Sequence, residues 1–504
     1  MQVEKSLLTT AITSASHKIK TKQSIMKGLR GIHLGVAGCL VAGALTTAGS
    51  VHAAQFKFNG DMNNRFQLYS NQRDWFNGSG GTGKREKLKS SGERENYAEI
   101  KYRFWFEAAT DNNEVKGVYA IEVGGVRFGE GSAGDFSGDG TNLETRWAYI
   151  DFGLPDSLDH RIKVGLQPVT VDQHLWHETA MGVMLSGPLS NSSNYQLLWA
   201  RGDSSNEGDS AQDKQDSATD DGFDGADNFS LNLSSQLTPE LKGGAFVLYQ
   251  TNDQISEGTG TLDAINYEIK SIADNSKYDL LSIGATGDYS TAIDSGKFFA
   301  KGTAIYQNGD IEGLNFKSLG GSVNSATSYD VDAYFLRADL GIDYGATKWT
   351  YTFWYASGDS NDSDKDLDAF IATDVDINES MIFQENFTDD DYFAETPYLA
   401  NKGFLFNKVQ VEHKISSKVK LTGMAIYNML AEDVTLGDGS KDNALGLELG
   451  GRVSYKLYAN LELAAEAAYL IAGDAMDAFE ESSIQDGKGS KNIFHTAARM
   501  RYKF

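Results

Sequence analysis

From Gln55 to Gln67 every second residue is polar or charged: Gln55, Lys57, Asn59, Asp61, Asn63, Arg65 and Gln67. The residues between and beyond them, Phe56, Phe58, Gly60, Met62, Phe66 and Leu68, are apolar or small, and only Asn64 breaks the pattern. The same spacing sets Lys101 and Arg103 with Glu99 and Glu107, Arg161 with Lys163, Arg452 with Glu448, Glu462 with Glu466, and Arg499 with Arg501 and Lys503. Arg146 stands alone in a similar run. Fixed charges repeated in this way bind, orient and steer ions. Two other clusters have ligand-like composition. His174-Leu175-Trp176-His177-Glu178 suggests a metal site, but no helical spacing brings its histidines together. Asp362, Asp364, Asp366 and Asp368 have the oxygen spacing of a calcium loop, yet Leu367 stands where the sharp turn needs glycine and Thr373 where a bidentate glutamate belongs. A solvated acidic surface is the simpler reading of that run, and no cofactor is implied.

A period of two is the period of a strand with distinct faces. Slipping the first run by one residue would turn Lys57 and Arg65 onto the apolar face. In a membrane that slip would cost about 2–4 kcal/mol per basic side chain near mid-bilayer. Comparable runs recur at Tyr97–Ala108, Val115–Val126, Glu144–Phe152, Arg161–Gln167, Asn194–Arg201, Asn228–Leu237 and Leu241–Gln250. They continue at Tyr278–Tyr289, Lys297–Gln307, Tyr329–Asp343, Lys348–Ala356, Phe404–Ile415, Lys418–Met429, Ala444–Lys456, Leu461–Ile471 and Ile493–Phe504. Joints such as Asp111-Asn112-Asn113, Thr238-Pro239-Glu240, Gly345-Ala346-Thr347 and Ser416-Ser417 are short, and those between them are long and polar.

Bacterial membrane barrels keep short turns on the periplasmic side and have an even strand number. The seventeen clearest runs fail that parity. An even number must lie between Arg161–Gln167 and Asn228–Leu237, which singles out Thr179–Leu189 as the missing strand. The expectation is an all-β, transmembrane, antiparallel up-and-down β-barrel of 18 strands, or 16 if two short assignments fail, with long acidic external loops. Asp203, Glu207, Asp209, Asp213, Asp216, Asp220, Asp221, Asp224 and Asp227 crowd one loop against Lys214 alone, and the connection Ser357–Gly403 is longer and also acidic. Pro155, Pro168, Pro188, Pro239 and Pro397 fall in turns, loops or strand ends. Tyr69, Trp147, Tyr289, Tyr344, Trp349, Tyr355 and Tyr502 lie near strand ends, as interfacial girdles would.

Residues 1–53 read as a secretory signal, with Lys18, Lys20, Lys22, Lys27 and Arg30 before an apolar stretch and a cleavage site at Val51-His52-Ala53; Met26 is an alternative start. Cys39 resembles a lipoprotein box, but the apolar stretch runs on past it. Residues 54–504 are then a single domain without cysteine, which excludes disulfides, thiolate metal sites and cysteine nucleophiles. Without residues 1–53 the chain has 39 basic against 69 acidic residues, a net charge near −30 that makes nucleic acid an improbable partner.

The run Arg146-Trp147-Ala148-Tyr149-Ile150-Asp151-Phe152 followed by Ile162-Lys163-Val164-Gly165-Leu166-Gln167 resembles the paired strands of trimeric bacterial outer-membrane porins. Thr179–Leu189 followed by Tyr195–Arg201 is most similar to the homotrimeric porins of sulfate-reducing, Desulfovibrio-type bacteria. The resemblance implies a passive diffusion channel for small hydrophilic solutes and ions in the outer membrane of a Gram-negative bacterium. Contact with lipid and lipopolysaccharide, a homotrimer, and recognition of Met500, Tyr502 and Phe504 by the barrel-assembly machinery are implied with it. It also implies a constriction loop after the fifth strand, here Pro168 to Glu178 with Asp172, His174, Trp176, His177 and Glu178, facing a lumen arginine at Arg146 and, less closely matched, Arg103. This loop is shorter than usual, and a long external loop is the alternative constriction.

Independently of the resemblance, the polar faces define a water-filled lumen. Lys57, Arg65, Lys101, Arg103, Arg146, Arg161 and Lys163 join Arg452, Arg499, Arg501 and Lys503 in one basic arc, because closure puts the first and last strands side by side. Asp61, Glu99, Glu107, Glu448, Glu462 and Glu466 interrupt it. Substrate-selective transport and a structural or adhesive barrel are the competing roles. An enzyme is disfavoured, since no Ser/His pair falls on neighbouring inward positions.

Overall fold

The computed structural model describes residues 55–70, 94–129, 141, 143–155, 157–202, 226–252, 260–262, 268–272, 276–317, 323–325, 328–361, 364–384, 387, 398, 400–479 and 492–504. The chain forms two units, Met1–Ala53 and Ala54–Phe504, and every described residue belongs to the second. Residues 1–53, Asp362, Pro397 and the acidic residues Asp203 to Asp224 lie outside the described residues.

Eighteen strands make the wall: β1 (Gln55–Ser70), β2 (Arg94–Ala109), β3 (Val115–Arg127), β4 (Glu144–Leu154), β5 (Ser157–Asp172), β6 (Trp176–Ser190), β7 (Ser193–Arg201), β8 (Asp227–Gln236) and β9 (Leu241–Asn252) in the first half. The second half holds β10 (Lys277–Ile293), β11 (Gly296–Glu312), β12 (Ser328–Tyr344), β13 (Thr347–Ala356), β14 (Phe404–Lys414), β15 (Val419–Thr435), β16 (Lys441–Tyr458), β17 (Leu461–Ala472) and β18 (Ile493–Lys503). Each pairs antiparallel with its sequence neighbours, and β1 pairs with β18 to close the barrel. The parity argument therefore located β6 correctly, and the 16-strand alternative is set aside.

Alternation decides which face meets which medium. Phe56, Phe58, Phe66, Met181, Leu336, Tyr344, Trp349, Met500 and Tyr502 point outward and are exposed, an apolar belt suited to hydrocarbon. Two expected girdle residues depart from it. Tyr69 is buried and stacks on His495 at 4.2 Å, and Trp147 faces the interior.

The wall closes at the last residue. Gly60 N donates to Phe504 O and Phe504 N to Gly60 O, both at 3.0 Å. The Phe504 ring lies over Gly60 and meets Phe58 edge-on at 5.3 Å. A Cβ at position 60 would come within 2.5 Å of that ring, so only glycine lets the ring seat against the backbone.

Part of the interior is packed with side chains rather than left open. Part of the chain between β13 and β14 runs inside the barrel, and Phe370, Ile371, Ala372, Val375, Ile377, Met381, Ile382 and Phe383 are buried there. They pack against inward apolar residues of the wall: Leu248, Leu280, Val331, Ala333, Phe335, Trp354, Phe404 and Phe406. Trp354 stacks on Phe404 at 5.0 Å and on Phe406 at 5.1 Å, and Phe335 meets Phe370 at 5.5 Å.

Gly60→Val should force the Phe504 ring off the seam and cost about 1–3 kcal/mol by overpacking. A lowered denaturant midpoint in detergent, with heat-modifiable gel mobility retained before unfolding, is the expected outcome.

Candidate functional site

The region expected as a constriction loop, Pro168 to Glu178, is mostly strand. Pro168 to Asp172 extends β5 and Trp176 to Glu178 begins β6, leaving a turn of Gln173, His174 and Leu175. This hairpin leaves the wall. Pairing of β4 with β5 stops at Ala148 opposite Leu166, and pairing of β6 with β7 stops at Met181 opposite Arg201, while β5 and β6 stay paired to Asp172 and Trp176. Gly165 and Gly182 face each other at the departure point. A Cβ on Gly165, whose φ is +125°, would lie 2.4 Å from the Ala148 carbonyl oxygen, and one on Gly182 would lie 2.3 Å from that of Trp199. Glycine is required for that approach.

The hairpin meets the inserted segment. Thr373 N donates to Leu175 O at 2.7 Å and His177 N to Asp374 O at 2.9 Å, while the Tyr398 hydroxyl donates to His174 O at 2.7 Å. Wall side chains satisfy further backbone groups of the segment, as burial requires. Gln307 both accepts from Ile371 N and donates to Ile371 O, each at 3.1 Å. The Glu448 carboxylate accepts from Met381 N at 2.7 Å and from Ile382 N and Phe383 N at 3.3 Å. Glu448 thus holds the segment and does not line open water.

A buried charge cluster completes the anchor. Arg337 Nη1 donates to Glu379 Oε1 at 2.6 Å and lies 3.0 Å from His174 Nε2, while Lys408 Nζ lies 3.6 Å from Glu379 Oε2. Burial alone would raise the Glu379 carboxyl, but the charges of Lys408 and Arg337 outweigh it and hold it at about 2. Burial, reinforced by Arg337, pushes the His174 imidazole down to about 3. Burial drives Glu268, beside Lys270 and Asp374, up to about 8.

Opposite this anchored segment lies a chamber of about 490 Å³. Its wall side carries Asp61, Lys101, Arg103, Arg146, Arg499 and Arg501; the facing side carries Gln173, His177 and Glu178 of the hairpin with Asp376, Asn378 and Phe387 of the segment. A second cavity of about 1400 Å³ is lined by Lys242, Asp288, Lys301, Arg337, Asp339 and Lys348 among others, and Gln173 borders both. Arg501 and Lys503 share Asp61, the latter at 3.4 Å.

The remaining expected residues divide by position. Arg65, paired with Glu99 at 3.1 Å, is fully buried and donates to Phe387 O at 3.1 Å. Arg452, which pairs with Glu466, and Arg499, 3.1 Å from Glu462, both lie over the Phe387 ring, at 4.1 and 4.3 Å from its centroid. Arg161 is tied to Asp151 at 2.7 Å and Lys163 lies 5.1 Å from the Tyr149 ring. Lys57 is exposed and stands opposite the half-buried Glu107. Asp172 caps its own turn by accepting from His174 N at 2.9 Å, and Trp176 is buried against the segment. Met500 and Tyr502 face outward. Among the described residues no group of three histidine, cysteine or acidic side chains is placed to hold a metal ion; Asp364 instead accepts from Asp366 N at 3.2 Å.

Sequence reasoning missed Glu122, Arg337, Asp339, Glu379, Phe387 and Lys408. Glu122 sits in a run that reads as a strand, but its cross-strand partner depends on register; Glu379 and Phe387 lie in a connection with no period at all.

No protein-family model and no curated protein sequence matches the chain. The solved structures that match its fold include three from Pseudomonas aeruginosa. OccK8 (OprE) is 9% identical with a TM-score of 0.52, covering 89% of this chain and 98% of its own. OpdL is 9% identical with a TM-score of 0.51 over 89% and 99%. The outer membrane protein OpdK is 8% identical with a TM-score of 0.50 over 89% and 98%. The fold is that of outer-membrane porins.

Glu448→Ala would leave three buried N–H groups without an acceptor, at about 1–3 kcal/mol each; limited proteolysis should then cut within residues 379–384 while the barrel stays intact. Acid should loosen the same segment. Glu379, depressed from 4.5 to about 2, contributes stability that is present above pH 4.5 and lost towards pH 2. His174, depressed from 6.5 to about 3, is neutral when folded and would charge on release, so it acts in the same direction between pH 6.5 and 3. Protease sensitivity of the segment should rise as pH falls from 6 to 3.

Proposed function

We propose that this protein is an outer-membrane porin of a Gram-negative bacterium that passes small hydrophilic solutes and ions, without catalysis, through the chamber between the basic arc and the inserted segment. The observation that carries this reading is the coexistence of a closed wall, apolar outside, with a charged chamber inside it. The packing of the segment against inward apolar residues of β9 to β14 supports selectivity over wide diffusion, because it fills part of the lumen. Within that chamber, Arg103, Arg146, Arg499 and Arg501 against Glu178 and Asp376 give a transverse field that orients permeating dipoles. Hairpin and inserted segment together act as the constriction.

The same reading takes residues 1–53 as a secretory signal, with residues 54–504 as the barrel domain. The outward apolar belt is then in contact with lipid and lipopolysaccharide. The short motifs shared with porins of sulfate-reducing bacteria favour a homotrimer. The terminal Met500, Tyr502 and Phe504 serve as the signal for the assembly machinery, after which Phe504 is built into the seam.

Purified protein in a planar bilayer should give stepwise openings, and well-folded but silent protein would refute the channel. Arg146→Ala removes a chamber cation, so the reversal potential in a salt gradient should move towards cation preference.

A further inference from the structure

Three cations of the chamber converge on one carboxylate. Lys101 Nζ lies 3.7 Å from Glu122 Oε1, Arg146 Nη1 lies 2.6 Å from Glu122 Oε2, and Arg103 Nε meets the same oxygen. Strand register causes the convergence: Arg103 on β2 stands directly opposite Glu122 on β3, and β4 brings Arg146 alongside. The Arg103 and Arg146 side chains remain 30% and 24% exposed, whereas that of Glu122 is 7% exposed. Of these residues, the three cations line the chamber and Glu122 stands behind them.

Guanidinium groups held in this way are donors for carboxylates and other oxyanions, and charge-assisted pairs are the strong ones. A site that used all its donors on a passing anion would arrest it. Conduction requires binding that is favourable enough to admit a solute and weak enough to release it. We propose that Glu122 is a resident competitor for permeating anions: by occupying an inward donor of Arg146, with Arg103 drawn to the same oxygen, it leaves a carboxylate or similar oxyanion only the outer donors of Arg146 and so keeps its residence short. This rests on the channel reading and adds to it the class of solute that the chamber slows, together with the residue that sets how long.

The test is single-channel recording of the full protein in a planar bilayer at pH 7, with succinate as probe. Glu122→Gln keeps the shape and removes the charge; Glu122→Asp keeps the charge. With Glu122→Gln, succinate-induced interruptions should lengthen about tenfold, the change expected from roughly one charge-assisted hydrogen bond, and the reversal potential should move towards anion preference. Glu122→Asp should stay near wild type, and Glu122→Gln combined with Arg146→Gln should return towards it. Unchanged interruptions in a conducting Glu122→Gln protein would overturn the proposal, as would equal effects of Gln and Asp, which mark a merely structural role. If Glu122→Gln yields no heat-modifiable barrel, Arg146→Gln alone decides: shorter interruptions support the proposal and unchanged ones overturn it. A silent wild type would overturn the channel reading and this inference together.

Discussion

A chain segment that crosses the inside of a barrel carries N–H and C=O groups that water reaches poorly, and each must find a partner. Here side chains of the wall and of the connection between β9 and β10 supply several of them. Gln307 reproduces a strand-like exchange with Ile371, Glu448 gathers three consecutive amides, and Glu268 accepts from Val375 N at 3.2 Å. The hairpin of β5 and β6 adds backbone bonds to Thr373 and Asp374. Without these acceptors the apolar side chains of the segment could not be buried against β9 to β14, because the desolvation of unpaired amides would oppose it.

That constraint divides the lumen. Where the segment is anchored, the interior is packed like a soluble core, with Trp354 among Phe404, Phe406 and Tyr398. Across from it, charged residues of β1, β2, β4 and β18 face open space. Burial also sorts the charges by role. Arg65, Glu99 and Glu448 lie too deep to meet a solute and act by holding backbone or each other, whereas Arg103 and Arg146 stay accessible. Phe387 is contacted by both Arg452 and Arg499, so even the aromatic edge of the chamber is positioned by cations.

Much of this was legible in the alternation alone. A period of two with one apolar face needs two media, and the alternating joint lengths needed an even count, which exposed β6 as a strand. Part of the interior was legible too. Tyr329, Val331, Ala333 and Phe335 put four apolar residues on the inward face of β12, a sign that something dry covers it. What covers it could not be read, since the connection between β13 and β14 has no periodicity and its partners lie on strands distant in sequence. The hairpin turn at Gln173 was hidden by Pro168, which marks a loop in most strands but here sits on the edge that has left β4.

By itself the sequence determined the wall: strand number, direction, inward and outward faces, and the meeting of first and last strands, because these follow from local alternation and from counting. Only the tertiary structure decided the lumen. Whether a lysine, arginine or glutamate in the arc meets water, backbone or another charge depends on register across strands and on where 357–403 enters. Those distances are set by long-range pairing, which no residue's neighbours in sequence encode.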